Sequence, residues 1–167
     1  MNERVLRRRL RELLHSMDIQ PPLRADELCQ RLGQLRARPV VLVPTQLDGA
    51  GAFGALIPMR RKDLVIYQDG LDPKHRDTIV FHEFSHLFLE HIQSAQAEGK
   101  TLVCNIGALD SFADATVYDL REEWEAETCA AILSEWAELP ESMAPARRYD
   151  SMHERAIQRG LGGSAWL

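Results

Sequence analysis

The sequence predicts an α+β domain: N-terminal helices, a small sheet of about three strands, and a long helix bearing H-E-F-S-H packed against a second, Glu-bearing helix. Three observations carry that reading. Apolar residues recur at helical spacing in four segments. Short β-branched runs bounded by Pro and Gly lie between the second and third of them. The third segment also opens on a strong helix-entry signal.

In order, Leu6, Leu10, Leu13, Leu14 and Met17 mark an amphipathic helix over residues 3–17 with an Arg-rich outer face. A second short helix starts near Arg24, with Gly33 as its expected stop. P-V-V-L-V-P and D-L-V-I-Y-Q-D read as strands, and D-G-A-G-A-F-G-A-L-I-P as a loop running into another. In L-D-P-K-H-R-D, Asp72 can cap a helix whose first position is Pro73. That helix is expected to reach about Gln93, and residues 94–117 to be irregular. The last long helix spans about Asp119 to Ala137 and ends near Pro140. Residues 1–140 then form the domain, and residues 141–167 a weakly helical, then loose, extension.

The 167 residues suffice for one core, and the apolar share of 45% is ordinary for a globular chain. A net charge of −5 argues against general nucleic-acid binding. Residues 1–38 carry nine Arg against five acids, but a solvated Arg face accounts for them, and no base-reading surface can be picked out. Three cysteines without a C-x-x-C pair fit a reducing cytosol better than a disulfide framework. No apolar run approaches the ~18 residues of a membrane span, and the N-terminus lacks a secretory h-region. The expectation is a cytoplasmic protein with no membrane partner.

His82, Glu83 and His86 form H-E-x-x-H inside an apolar helix. Positions i and i+4 differ by about 40° of rotation, so His82 and His86 point the same way and can share one zinc ion. Glu83 lies about 100° from His82 and can reach a water at that metal without binding it. This is the donor set of zinc-assisted hydrolysis, in which the metal acidifies water and the carboxylate takes its proton. Val80, Phe81, Phe84, Leu87 and Phe88 back the opposite arc.

A catalytic zinc needs a third protein ligand. The extended H-E-x-x-H-x-x-G-x-x-H pattern fails, because Leu89 and Ile92 stand at its last two positions. In D-L-R-E-E-W-E-A-E-T-C-A-A-I-L-S-E-W, Glu125 shares its face, within about 40°, with Tyr118, Cys129, Ile132 and Trp136. An inward carboxylate needs a partner, which makes Glu125 the expected ligand and Glu122 the second choice. Glu123 and Glu127 fall on the far side. Cys129 and Cys104 read as packing, His15, His75 and His91 as solvated surface, and Tyr118 as packing or an oxyanion donor.

The ordered run V-I-Y, H-R-D-T-I-V-F-H-E-F-S-H-L-F-L-E-H and E-W-E-A-E-T-C-A-A-I-L resembles the ImmA/IrrE family of small bacterial and phage zinc metallopeptidases over about residues 5–140. The resemblance implies a zincin-like fold, with His82 and His86 as ligands, Glu83 as catalytic glutamate and Glu125 as the ligand before Ala. It also implies a protein substrate, commonly a helix-turn-helix repressor. Cys129 and Glu127 stand where that family usually has Phe and Asn, which leaves the shape of the pocket wall open. Two functions follow from these residues: a zinc endopeptidase, or a zinc-holding regulator that acts by binding its partner. Only the first needs Glu83.

Overall fold

A computed structural model describes residues 1–47, 54–91, 101–104, 115–116 and 120–140. Helix α1 (Glu3–Ser16) opens with the Asn2 side chain accepting from the Val5 amide at 3.0 Å. Its stripe Leu6, Leu10 and Leu14 is buried, as the spacing predicts. Helix α2 (Ala25–Leu35) buries Leu28, Cys29 and Leu32.

Gly33 lies inside α2 instead of ending it. The returning chain explains why: a Cβ there would stand 3.0 Å from the Val40 nitrogen and 3.2 Å from the Arg38 carbonyl. Glycine is needed for close approach, and the helix ends two residues later.

Strands β1 (Val40–Thr45), β2 (Gly54–Pro58) and β3 (Asp63–Gln68) form the centre of the sheet. β2 and β3 pair antiparallel with Leu56 opposite Val65, both fully buried, and β1 adds parallel to β3. Two short strands, β4 (Thr101–Cys104) and β5 (Ala115–Thr116), extend the sheet to the order β1-β3-β2-β4-β5. To the three strands expected, the stretch read as irregular adds β4, which pairs with β2, and β5, which pairs with β4. Such short runs are below the length at which alternation becomes readable.

Helix α3 (Pro73–Phe88) begins as the sequence predicts: the Asp72 side chain accepts from the Lys74 and His75 amides at 3.1 Å. It covers β2 and β3 and packs most extensively on α4 (Leu120–Ala137), which α1 also touches. Val80, Phe81, Phe84 and Leu87 from α3 meet Cys129, Ile132 and Leu133 from α4 in the core. Burial stabilises by ~1.5–3 kcal/mol for each large apolar side chain. The extension from residue 141 onward lies outside the described residues.

One buried charge ties the sheet to the α2–β1 connection. Asp63, with no exposed surface, accepts from Arg36 at 2.7 Å and from Arg38 Nε at 2.8 Å. The Arg38 guanidinium also donates to the Met59 carbonyl, clasping the β2–β3 turn. Removing one partner of a buried pair costs about 3–5 kcal/mol, and here the lower end applies because both arginines can reach water. Asp63→Ala is expected to lose about 3 kcal/mol in urea denaturation. A wild-type midpoint would show that the clasp contributes nothing.

Candidate metal centre

The His82 and His86 Nε2 atoms face each other at 3.1 Å, one turn apart on α3. From α4, Glu123 brings Oε2 to 3.3 Å of His82 Nε2 and Oε1 to 3.8 Å of His86 Nε2. Ligand atoms of these three residues lie within 4.8 Å of one another. Two donors at ~2.0–2.1 Å from a tetrahedral zinc stand about 3.3–3.4 Å apart, close to these separations. Glu123 Oε1 is buried and has no hydrogen-bond partner among the described residues. A buried carboxylate oxygen without a donor is costly, and a cation between the three groups would satisfy it. The residues present therefore fit a metal ion.

The sequence placed Glu125 at this position, and the structure brings Glu123 there instead. Glu125 is buried, as its place on the helical wheel requires. It contacts the Met1 amino group, Arg121 Nε at 3.2 Å and His91 Nε2 at 3.5 Å. The two glutamates are about 200° apart on the helix, so only one can face the histidines. The wheel was centred on large side chains. Ala126 and Ala130 are also buried, and including them moves the middle of the stripe by about 40–50° toward Glu123. Small residues mark where two helices approach most closely, and that signal was available in A-E-T-C-A-A. Glu122 is outside the ligand group, and Tyr118 lies outside the described residues.

Glu83 is 1% exposed and is not among the three clustered donors. Its carboxylate rests over the start of β2. A Cβ at Gly54 would come within 2.8 Å of Glu83 Oε1 and 2.6 Å of Ile79 Cγ2. Glycine at the first position of β2 is what gives the carboxylate room.

The electrostatics separate the two histidines. Burial, with His82 and His91 nearby, pushes His86 down to about 2, so it is neutral, as a metal ligand must be. Burial also opposes charge on His82, but the hydrogen bond to Glu123 and the charges of Glu83, Glu123 and Glu127 outweigh it and raise its pKa. On Glu125, burial is outweighed by hydrogen bonds from the Met1 amino group and Arg121, which lower its pKa. Burial pushes the Cys29 and Cys129 thiols up to about 12; both are free, core-packed thiols, as the sequence suggested for Cys129. His15 and His75 are exposed as expected. His91 is not: its side chain is 7% exposed, with Nδ1 3.1 Å from His86 Nδ1.

No protein-family model matches the chain, and no curated protein does. The site is characterised by its own geometry.

Glu123→Gln is expected to abolish stoichiometric zinc retention, while Glu125→Gln keeps most of it. Metal analysis after gel filtration checks this, and the reverse order would return the ligand role to Glu125.

A second prediction concerns pH. A raised folded pKa means that charged His82 stabilises the metal-free protein below its unfolded value of ~6.5, and that this is lost as pH rises through the folded pKa. In the presence of chelator, the stability difference between wild type and His82→Gln should shrink as pH rises from below ~6.5 through the folded pKa. With zinc it should grow over the same range, because protons compete with the metal for His82. Thermal unfolding of both proteins under both conditions reads the sign directly.

Proposed function

We propose that this chain is a zinc-dependent endopeptidase acting on a specific protein. The observation that carries the reading is the unsatisfied Glu123 Oε1 facing two convergent imidazole nitrogens, with a separate carboxylate, Glu83, on the same helix. His82, His86 and Glu123 would hold the ion, leaving the fourth position of a catalytic zinc for water or substrate. When bound, zinc would supply Lewis-acid polarisation of the scissile carbonyl and acidify the attacking water.

Glu83 does the proton work. Its carboxylate takes a proton from water as oxygen adds to the carbonyl carbon, then returns it to the amine nitrogen as the C–N bond breaks. One residue thus serves as base and then acid, without net change. The β2 backbone at Gly54 lies close against it and limits how far it can move.

The ordered motifs resembling ImmA/IrrE metallopeptidases support the same reaction, and through that resemblance a helix-turn-helix repressor as substrate. Two buried free cysteines suit a reducing cytoplasm. No helix among the described residues is long and apolar enough to cross a membrane.

The test is cleavage. Wild-type protein added to extract of its source cells should generate new protein N-termini, read by mass spectrometry and suppressed by chelator. Glu83→Gln should bind zinc normally yet lose ~10²–10⁴-fold in rate, because an amide accepts no proton at neutral pH. Gly54→Ala should lower the rate with zinc retained, since the added methyl displaces the Glu83 carboxylate. Unchanged fragments from Glu83→Gln would sink the peptidase. A zinc-loaded wild type that binds a repressor without cutting it would leave only the regulatory reading.

A further inference from the structure

Two groups that the proposed reaction does not use meet beside the end of α3: His91, just past its cap, and Glu125 from α4. We propose that His91 and Glu125 form a positioning relay on the side of His86 away from the metal centre, fixing which His86 nitrogen is free to bind metal. The proposal rests on the metal-site reading above.

The geometry begins with how the helix stops. Leu89 is its C-cap, Glu90 takes a left-handed φ of +60°, and the chain reverses. The His91 amide donates to the His86 carbonyl at 3.1 Å, and the Glu90 amide to the Leu87 carbonyl at 3.3 Å. These are the two hydrogen bonds of a Schellman cap, in which the residue two past the cap folds back onto the residue three before it. Apolar contact usually joins those two positions. Here they are His91 and His86, whose ring centroids lie 5.2 Å apart.

Were α3 to continue past Phe88, His91 would sit about 140° around the helix from His86. The cap is what brings it back. The αL conformation is strained for a non-glycine residue, so Glu90 here indicates that surrounding contacts hold the turn.

A cation at the centre would give these contacts one consistent direction. With a cation held at Nε2, beside His82 and Glu123, the proton of a neutral His86 would be on Nδ1. That N–H would donate to His91 Nδ1 at 3.1 Å, which would act as the acceptor. The His91 proton would then be on Nε2, facing Glu125 Oε2 at 3.5 Å. A ligating histidine ordinarily gives its other N–H to a carboxylate or carbonyl. Here a second imidazole spans the gap to the carboxylate. The relay also accounts for Glu125 lying inward without being a ligand.

The experiment measures zinc affinity at one fixed pH by chelator competition, in wild type, His91→Leu and His91→Gln. Leucine fills the space without accepting a hydrogen bond, and glutamine keeps an acceptor for His86 and a donor for Glu125. His91→Leu should bind zinc ~10–100-fold more weakly, with His91→Gln recovering most of the loss. Cobalt-loaded His91→Leu should keep the wild-type visible spectrum, because the ligand set is unchanged. Equal affinity in wild type and His91→Leu overturns the relay while leaving the metal site standing. A changed cobalt spectrum overturns it by making His91 a ligand. Failure of wild type to bind zinc removes the metal site and the relay together. Should His91→Leu not fold, nitrogen NMR of zinc-loaded wild type decides: a His91 proton on Nε2 supports the relay, and one on Nδ1 overturns it.

Discussion

The close pairing of α3 with α4 is the constraint on which the candidate centre depends. Neither helix can make the site alone: α3 supplies two imidazoles one turn apart, and α4 supplies the carboxylate. Ala126 and Ala130, both buried, permit the approach. Larger residues would hold the axes apart and carry Glu123 away from His82. The same contact is the centre of the hydrophobic core, where Phe81 and Phe84 are essentially unexposed. Stability and ligand geometry are therefore set by one interface. A core interdigitated at crystal-like density does not shift by an ångström without loss, which suits a site whose donors must converge closely.

The buried carboxylates show how the fold treats charge elsewhere. Asp63 is met by two arginines, and Glu125 by the Met1 amino group, Arg121 and His91. Glu123 differs, because among the described residues one of its oxygens is left without a donor, at the convergence of two imidazoles. Local rules that hold throughout a fold and lapse at one place commonly mark a functional site. Here the lapse coincides with the only H-E-x-x-H in the sequence.

Much of this was legible beforehand. The Asp72–Pro73 helix entry, the apolar arc of α3 and the inward orientation of Glu125 are consequences of local chemistry and of a 3.6-residue period, and all three hold. The choice between Glu123 and Glu125 was not legible from the large side chains. An inward carboxylate has several possible partners, and periodicity does not say whether its partner is a metal, an arginine or an imidazole. Weighing the alanines as contact residues would have narrowed the choice. Strands β4 and β5 are short enough that only their pairing, β4 with β2 and β5 with β4, reveals them.

His91 shows most clearly why a helical wheel fails at a helix end. The wheel assumes a regular rotation per residue, and under that assumption His91 belongs on the solvent side. One residue in the left-handed region cancels the assumption and returns the next side chain to the face it would have left. No glycine announces the turn, since Glu90 occupies the position where glycine is commonest. The turn is held by two backbone hydrogen bonds and by the rings they bring together. Ending α3 two residues after His86 thus does more than terminate a helix. It spares the ligand face from further side chains and sets an acceptor behind the ligand, so that a rigid helix and its cap together determine which nitrogen of His86 points at the centre.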